Sequence, residues 1–137
     1  MPETTTALPS LSSVAEKIFQ EIQATNRVTD DQLASLDLLF GGHFDKATQI
    51  VDQGGVFAFI GRESQRKVYQ VQGNKNKGNY TVFPRHYCSC HSFFFDVATK
   101  GEAVYCKHQL AVLLAESLGA CRTSVVEDLT LADLLQG

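Results

Sequence analysis

The chain has 137 residues and carries 12 Lys+Arg against 15 Asp+Glu, a formal net charge of −3. That length suits one domain with one real core, and 44% hydrophobic with 20% charged residues argues against disorder throughout. No apolar run approaches the ~20 residues of a membrane helix. The start, Met1-Pro2-Glu3-Thr4-Thr5-Thr6-Ala7, lacks the basic and apolar stretches of a secretory signal. An integral membrane or exported protein is therefore not expected. In a cytosolic or nuclear compartment, the four cysteines read as metal ligands or free thiols before they read as disulfides.

Residues 1–12 read as a flexible lead, rich in threonine and without apolar period. Ser13-Val14-Ala15-Glu16 has capping-box form, and Val14, Ile18 and Ile22 follow at fourfold spacing with Ala15 and Phe19 beside them, so a helix is expected over 13–25. Thr29-Asp30-Asp31-Gln32 is a second capping box, with acids at the positive end of the helix. Leu33, Leu36, Leu39 and Phe40 give its apolar face and Gly41-Gly42 its stop. A third short helix over 43–52 would present Phe44, Ala47, Ile50 and Val51. Residues 13–54 thus form a helical region, and the stripe of Val14, Ile18, Phe19 and Ile22 is expected to exceed what a small core absorbs, leaving a face for a partner.

From residue 55 the pattern changes. Val56-Phe57-Ala58-Phe59-Ile60, Arg66-Lys67-Val68-Tyr69-Gln70-Val71-Gln72 and Tyr80-Thr81-Val82-Phe83 read as three strands of an antiparallel meander. The last two are joined by the polar turn 73–79. Residues 55–118 hold this meander and a finger over 86–118, and 119–137 read as a helical tail. The fold class is α+β: N-terminal helices, a small sheet, then a metal finger leading into a C-terminal helix.

The finger is the most specific signal. Cys88-Ser89-Cys90 is followed, after residues 91–105, by Cys106-Lys107-His108. Three thiolates and one imidazole make a standard closed tetrahedral set for zinc. In extended chain, residues two apart point to one face, so Cys88 and Cys90 can reach a single ion. Inside a helix they do not, so Cys106 should lie just outside the helix that Leu110, Val112, Leu113, Leu114 and Leu118 predict and Gly119 ends. His86 and His91 flank the first pair, but neither completes a paired pattern, and Cys121 reads as a small buried hydrophobe. Lys107 and Arg85 are placed to offset the net negative charge of such a centre.

Charge is unevenly spread. Residues 62–108 carry a balance of +5 between flanks of −5 and −3. Arg62, Arg66, Lys67, Lys75, Lys77 and Arg85 are therefore candidate nucleic-acid contacts, although a solvated hairpin surface would show the same charges. Phe93-Phe94-Phe95 reads as core before it reads as a base-stacking platform. There is no Gly-x-x-x-x-Gly-Lys-Ser/Thr phosphate loop, and no orienting Asn or Asp that would make a cysteine–histidine pair nucleophilic.

Tyr87-Cys88-Ser89-Cys90, the aromatic at Phe94 and Cys106-Lys107-His108-Gln109-Leu110-Ala111 resemble the SWIM zinc-finger family. Leu36-Asp37-Leu38-Leu39-Phe40-Gly41, Ala47-Thr48-Gln49-Ile50-Val51-Asp52 and Arg66-Lys67-Val68-Tyr69-Gln70-Val71 narrow the resemblance to the SWIM subunits of Shu-type complexes, over residues 30–118. The resemblance implies a non-enzymatic, nuclear protein with Zn²⁺ on Cys88, Cys90, Cys106 and His108. It implies a RecA-like recombinase paralogue as partner, and a role in assembling the recombinase on single-stranded DNA during homologous recombination. A stand-alone DNA-binding finger is the alternative.

Overall fold

The computed structural model describes residues 10–73, 78–91, 93 and 105–136. Most of the expected flexible lead, together with Lys75, Lys77, Phe94 and Phe95, lies outside the described residues. Three helices come first: α1 (Leu11–Thr25), α2 (Asp30–Phe40) and α3 (Gly42–Asp52). Three strands follow, β1 (Val56–Gly61), β2 (Lys67–Gln72) and β3 (Asn79–Phe83), and then the short β4 (Tyr87–Cys88). The chain continues through α4 (Lys107–Leu118), β5 (Arg122–Val126) and α5 (Asp128–Gln136).

Local chemistry sets most of the helix ends. Thr29 Oγ1 accepts from the Gln32 N–H at 3.1 Å while Gln32 Oε1 accepts from the Thr29 N–H at 2.9 Å, so the second capping box forms as expected. The first does not. The N-cap of α1 is Ser10, whose Oγ accepts from the Ser13 N–H at 3.2 Å, and the helix is already running at Ser13. Glu16 is instead paired with Arg85. Between α2 and α3 the backbone reverses at Gly41, at φ 58° and ψ −130°, a conformation that only glycine adopts without strain.

The sheet has five strands in the order β4-β3-β2-β1-β5, not the three expected. Neighbours are antiparallel except β1 and β5, which run parallel with Phe57 opposite Arg122 and Gly61 opposite Val126. The expected helical tail after residue 119 therefore opens with a strand, and only its second half is helical. Thr123, Val125 and Val126 are strand formers, but the run is too short to declare itself until β1 offers a free edge.

The core is centred on α4. His108 to Ala115 and Ser117 are all buried, so this helix is enclosed on every side. The helices α1 and α3 pack on one side of it and strands β1, β2 and β3 on another. Val56, Ala58, Tyr69 and Val71 face it from the sheet, paired across β1 and β2 as Val56 with Val71 and Ala58 with Tyr69. Ala15, Phe19 and Ile22 on α1 are consumed by this core, so the stripe expected to remain for a partner is largely spent internally. Among the described residues the large exposed apolar side chains lie mostly elsewhere: Leu38 on α2, Phe83 on β3, Tyr87 on β4, Val125 on β5, and Leu129 and Leu135 on α5, with Leu11 at the start of α1.

Candidate metal centre

The centre forms where the end of the sheet meets the start of α4. Cys88 closes β4, opposite Val82 of β3. Ser89 is pinned to β3 in both directions: its N–H donates to the Thr81 carbonyl at 3.0 Å, and its Oγ accepts from the Thr81 N–H at 3.0 Å. Cys90 lies in the bend that follows rather than in the strand, so only half of the first pair is extended. Cys106 is the N-cap of α4, at φ −81° and ψ 169°, and His108 is the second residue of the helix. The Cys-x-His pair thus straddles the helix start, as its spacing requires.

The four candidate ligand atoms all lie within 4.8 Å of one another, and all four residues are buried. Sulfurs held ~2.3 Å from one tetrahedral ion stand ~3.8 Å apart, and a sulfur and an imidazole nitrogen ~3.6 Å apart. His108 Nδ1 lies 3.7 Å from Cys88 Sγ, which makes Nδ1 the nitrogen turned toward the centre. His86 and His91 are exposed, and Cys121 stands outside the cluster. The residues present therefore fit a closed Cys₃His metal site in donor type, number and spacing.

Electrostatics points the same way. Hydrogen bonds from Cys106 and then Cys88 hold the Cys90 thiol far below its ordinary range. Cys88 is pushed far up by its hydrogen bonds with Cys106 and Cys90 and then by burial. Three sulfurs in a dry pocket cannot all ionise unless a cation replaces their protons.

A supporting shell surrounds the cluster. The Gln109 N–H donates to Cys106 Sγ at 3.5 Å, and the Phe93 N–H donates to Cys90 Sγ at 3.2 Å. The buried Gln109 side chain accepts from the Cys106 N–H at 2.9 Å and donates to the Pro84 carbonyl at 3.3 Å, tying the helix start to the turn before β4. The Tyr80 ring lies 4.4 Å from the His108 ring, centroid to centroid, and orients the imidazole. Gln109 has a sequence signal: Cys106-Lys107-His108-Gln109 is a capping box with a thiol in place of the hydroxyl. Tyr80 and Ser89 have none, because strand pairing delivers them.

The candidate nucleic-acid contacts are dispersed. Arg62 is paired with Glu127 at 2.9 Å and Arg85 with Glu16 at 2.7 Å, so Arg85 ties the turn before β4 to α1. Arg66 and Lys67 are exposed at the start of β2. Phe93 packs against the core and edge-on to Tyr87 at 5.6 Å.

No family model matches the chain, and no solved structure matches it. Curated relatives do. The chain is 36% identical to human "Zinc finger SWIM domain-containing protein 7" over 129 residues, 91% of each chain. It is 37% identical to the zebrafish protein of that name over 131 residues, 92% of each chain. It is 31% identical to the Dictyostelium discoideum homologue over 112 residues, 82% of this chain and 72% of the relative. With 31–37% identity to these relatives over 82–92% of its length, the chain belongs to the zinc finger SWIM domain-containing protein 7 family.

Proposed function

We propose that this protein is a non-enzymatic, zinc-binding subunit of a Shu-type complex in the nucleus. There it pairs with a RecA-like recombinase paralogue and promotes recombinase assembly on single-stranded DNA during recombination repair. The observation that carries the zinc part is the buried Cys₃His cluster, whose four donor atoms lie within 4.8 Å of one another. Four protein ligands fill the tetrahedron and leave no position for a substrate, which favours a structural ion over a catalytic one. When bound, the ion would fix the start of α4 to the end of the sheet, and α4 is the helix around which the rest is packed. Membership of the family supports the complex and its role, which rest on the SWIM resemblance.

The chain purified from a zinc-supplemented host should carry one zinc per molecule by elemental analysis. Co-expressed with a recombinase paralogue, it should co-purify as a stoichiometric complex that speeds recombinase loading on single-stranded DNA. Cys106→Ala should lose the metal and the complex together. A metal-free chain that is folded and still binds the paralogue would overturn the zinc assignment. Failure of a zinc-loaded chain to bind any paralogue would overturn the Shu-type reading. Single-stranded DNA binding by the chain alone, weakening by about 0.7 log units per log unit of salt for each phosphate contact, would favour the stand-alone DNA-binding reading instead.

A further inference from the structure

Toward the C-terminal end of α4, the end opposite Cys106 and His108, the helices α2, α3 and α4 enclose a groove of about 630 Å³. Its floor is apolar: Phe44 and Leu114 are buried in it, and Leu33, Val51 and Leu118 are partly covered. Its rim is acidic. Asp45 and Asp52 stand on the α3 side and Asp37 on the α2 side, all exposed. None of the three has a cation within 4.0 Å among the described residues. Among the described residues, no basic side chain lines the groove.

We propose that this groove is a docking site for an amphipathic helical segment of a partner protein, one carrying apolar anchors flanked by lysine or arginine. Three features select that occupant. Helix-in-groove recognition needs a hydrophobic channel between helices, and apolar side chains at i, i+3, i+4 and i+7 of a partner helix match one. Among the described residues no cation pairs with these carboxylates, so a partner that supplies positive charge fits them best, whereas an acidic or neutral helix would leave them facing like charge or apolar surface. Asp45 and Asp52 are seven residues apart on one face of α3, roughly 10 Å along its axis, which suits two basic residues seven apart on an adjacent helix. The chain's own N-terminal lead is a poor candidate, since its only charged side chain is Glu3. The proposal does not depend on the Shu-type reading, and no nucleic acid or recombinase enters its test.

A displayed library of random 16-residue peptides, selected on the full zinc-loaded chain, tests it. Ala34 is exposed on the groove wall, so Ala34→Arg should fill the groove mouth without disturbing the fold; unchanged zinc content and melting temperature check this. Peptides enriched on the unsubstituted chain and lost on Ala34→Arg should combine two or more Leu, Ile or Phe at helical spacing with at least two Lys or Arg. A synthetic peptide of that consensus should bind at least tenfold more weakly to Asp45→Lys/Asp52→Lys, and more weakly as salt rises. No enrichment, enrichment of acidic peptides, or affinity unchanged by Ala34→Arg would each overturn the proposal. So would concentration-dependent dimers that Ala34→Arg abolishes, since they would give the groove to a second copy of the chain.

Discussion

Gln109 is the residue on which the candidate metal centre leans most without supplying a donor atom. Its backbone N–H reaches Cys106 Sγ, and its side chain joins Cys106 to Pro84. Gln109→Leu keeps the volume and all four ligands, but leaves the buried Cys106 N–H without its partner and takes one from the half-buried Pro84 carbonyl, at a cost of about 1–3 kcal/mol. A supporting contact to a metal ligand is worth about 10–100-fold in metal affinity. The variant should therefore still bind zinc, melt at a lower temperature, and lose its metal to a competing chelator at lower chelator concentration. Equal chelator resistance would mean that the cap does not brace the ligand. Cys121 offers a second test. Burial first, and then the nearby Glu116 carboxylate, push its thiol up to about 11, with Lys67 opposing. A thiol that titrates near 11 rather than near 9 holds its proton through pH 8–10, so little nucleophilic thiolate is present there. With the other three cysteines on metal, alkylation of Cys121 by iodoacetamide should be slow at pH 8. Its rate should climb about tenfold per pH unit up to pH 10. A plateau near pH 9 would show an unperturbed thiol.

Elements are decided partly by short signals and partly by close approach. The capping box at Thr29 and Gln32 acts within four residues and was readable directly. Two serines compete for the start of α1, and Ser10 wins because the helix can then gain another turn before Ala15, which is buried against the core. The β2–β3 hairpin depends on a different constraint. The Gly73 N–H donates to the Gly78 carbonyl at 3.0 Å, and a Cβ on residue 73 would sit 2.2 Å from that same carbonyl oxygen. The obstacle is backbone, so it cannot rotate away. Gly73→Ala should cost about 1–3 kcal/mol, the range for backbone strain of this kind. Thermal melting of the zinc-loaded protein reads that loss directly; an unchanged midpoint would mean that the hairpin end shifts freely. Metal content should not change, since β4 and the start of α4 are held by other bonds.

At the scale of the whole molecule, the metal cluster and the core share one helix. Two of the four candidate ligands sit at the start of α4, and α4 is enclosed by α1, α3 and the sheet. Structural zinc contributes about 10–16 kcal/mol in small finger peptides, whereas a whole domain is stable by only about 5–15 kcal/mol. Removing the metal should therefore do more than loosen residues 86–108. Hydrogen exchange after chelation should show protection falling across α4 and across α1 and α3, which pack against it. Loss confined to β4 and the first turn of α4 would mean that the helical layer stands without the ion. Proteolysis after chelation should cut in the helical layer for the same reason.

The sequence by itself determined what depends on spacing and local bonding. The Cys-x-Cys and Cys-x-His pairs, the three N-terminal helices, the strands of the β1–β2–β3 meander and the helix after His108 all carry their information within a few residues. Tertiary structure alone decided what depends on which surfaces meet. The apolar stripe of α1 reads the same whether it faces a partner or α4. The run from Arg122 to Val126 becomes a strand only because β1 presents an open edge. Arg85, counted with the basic segment, is committed to Glu16, which lies 69 positions earlier in the chain. The acidic-rimmed groove has no signature in any one helix, because its floor and walls come from three.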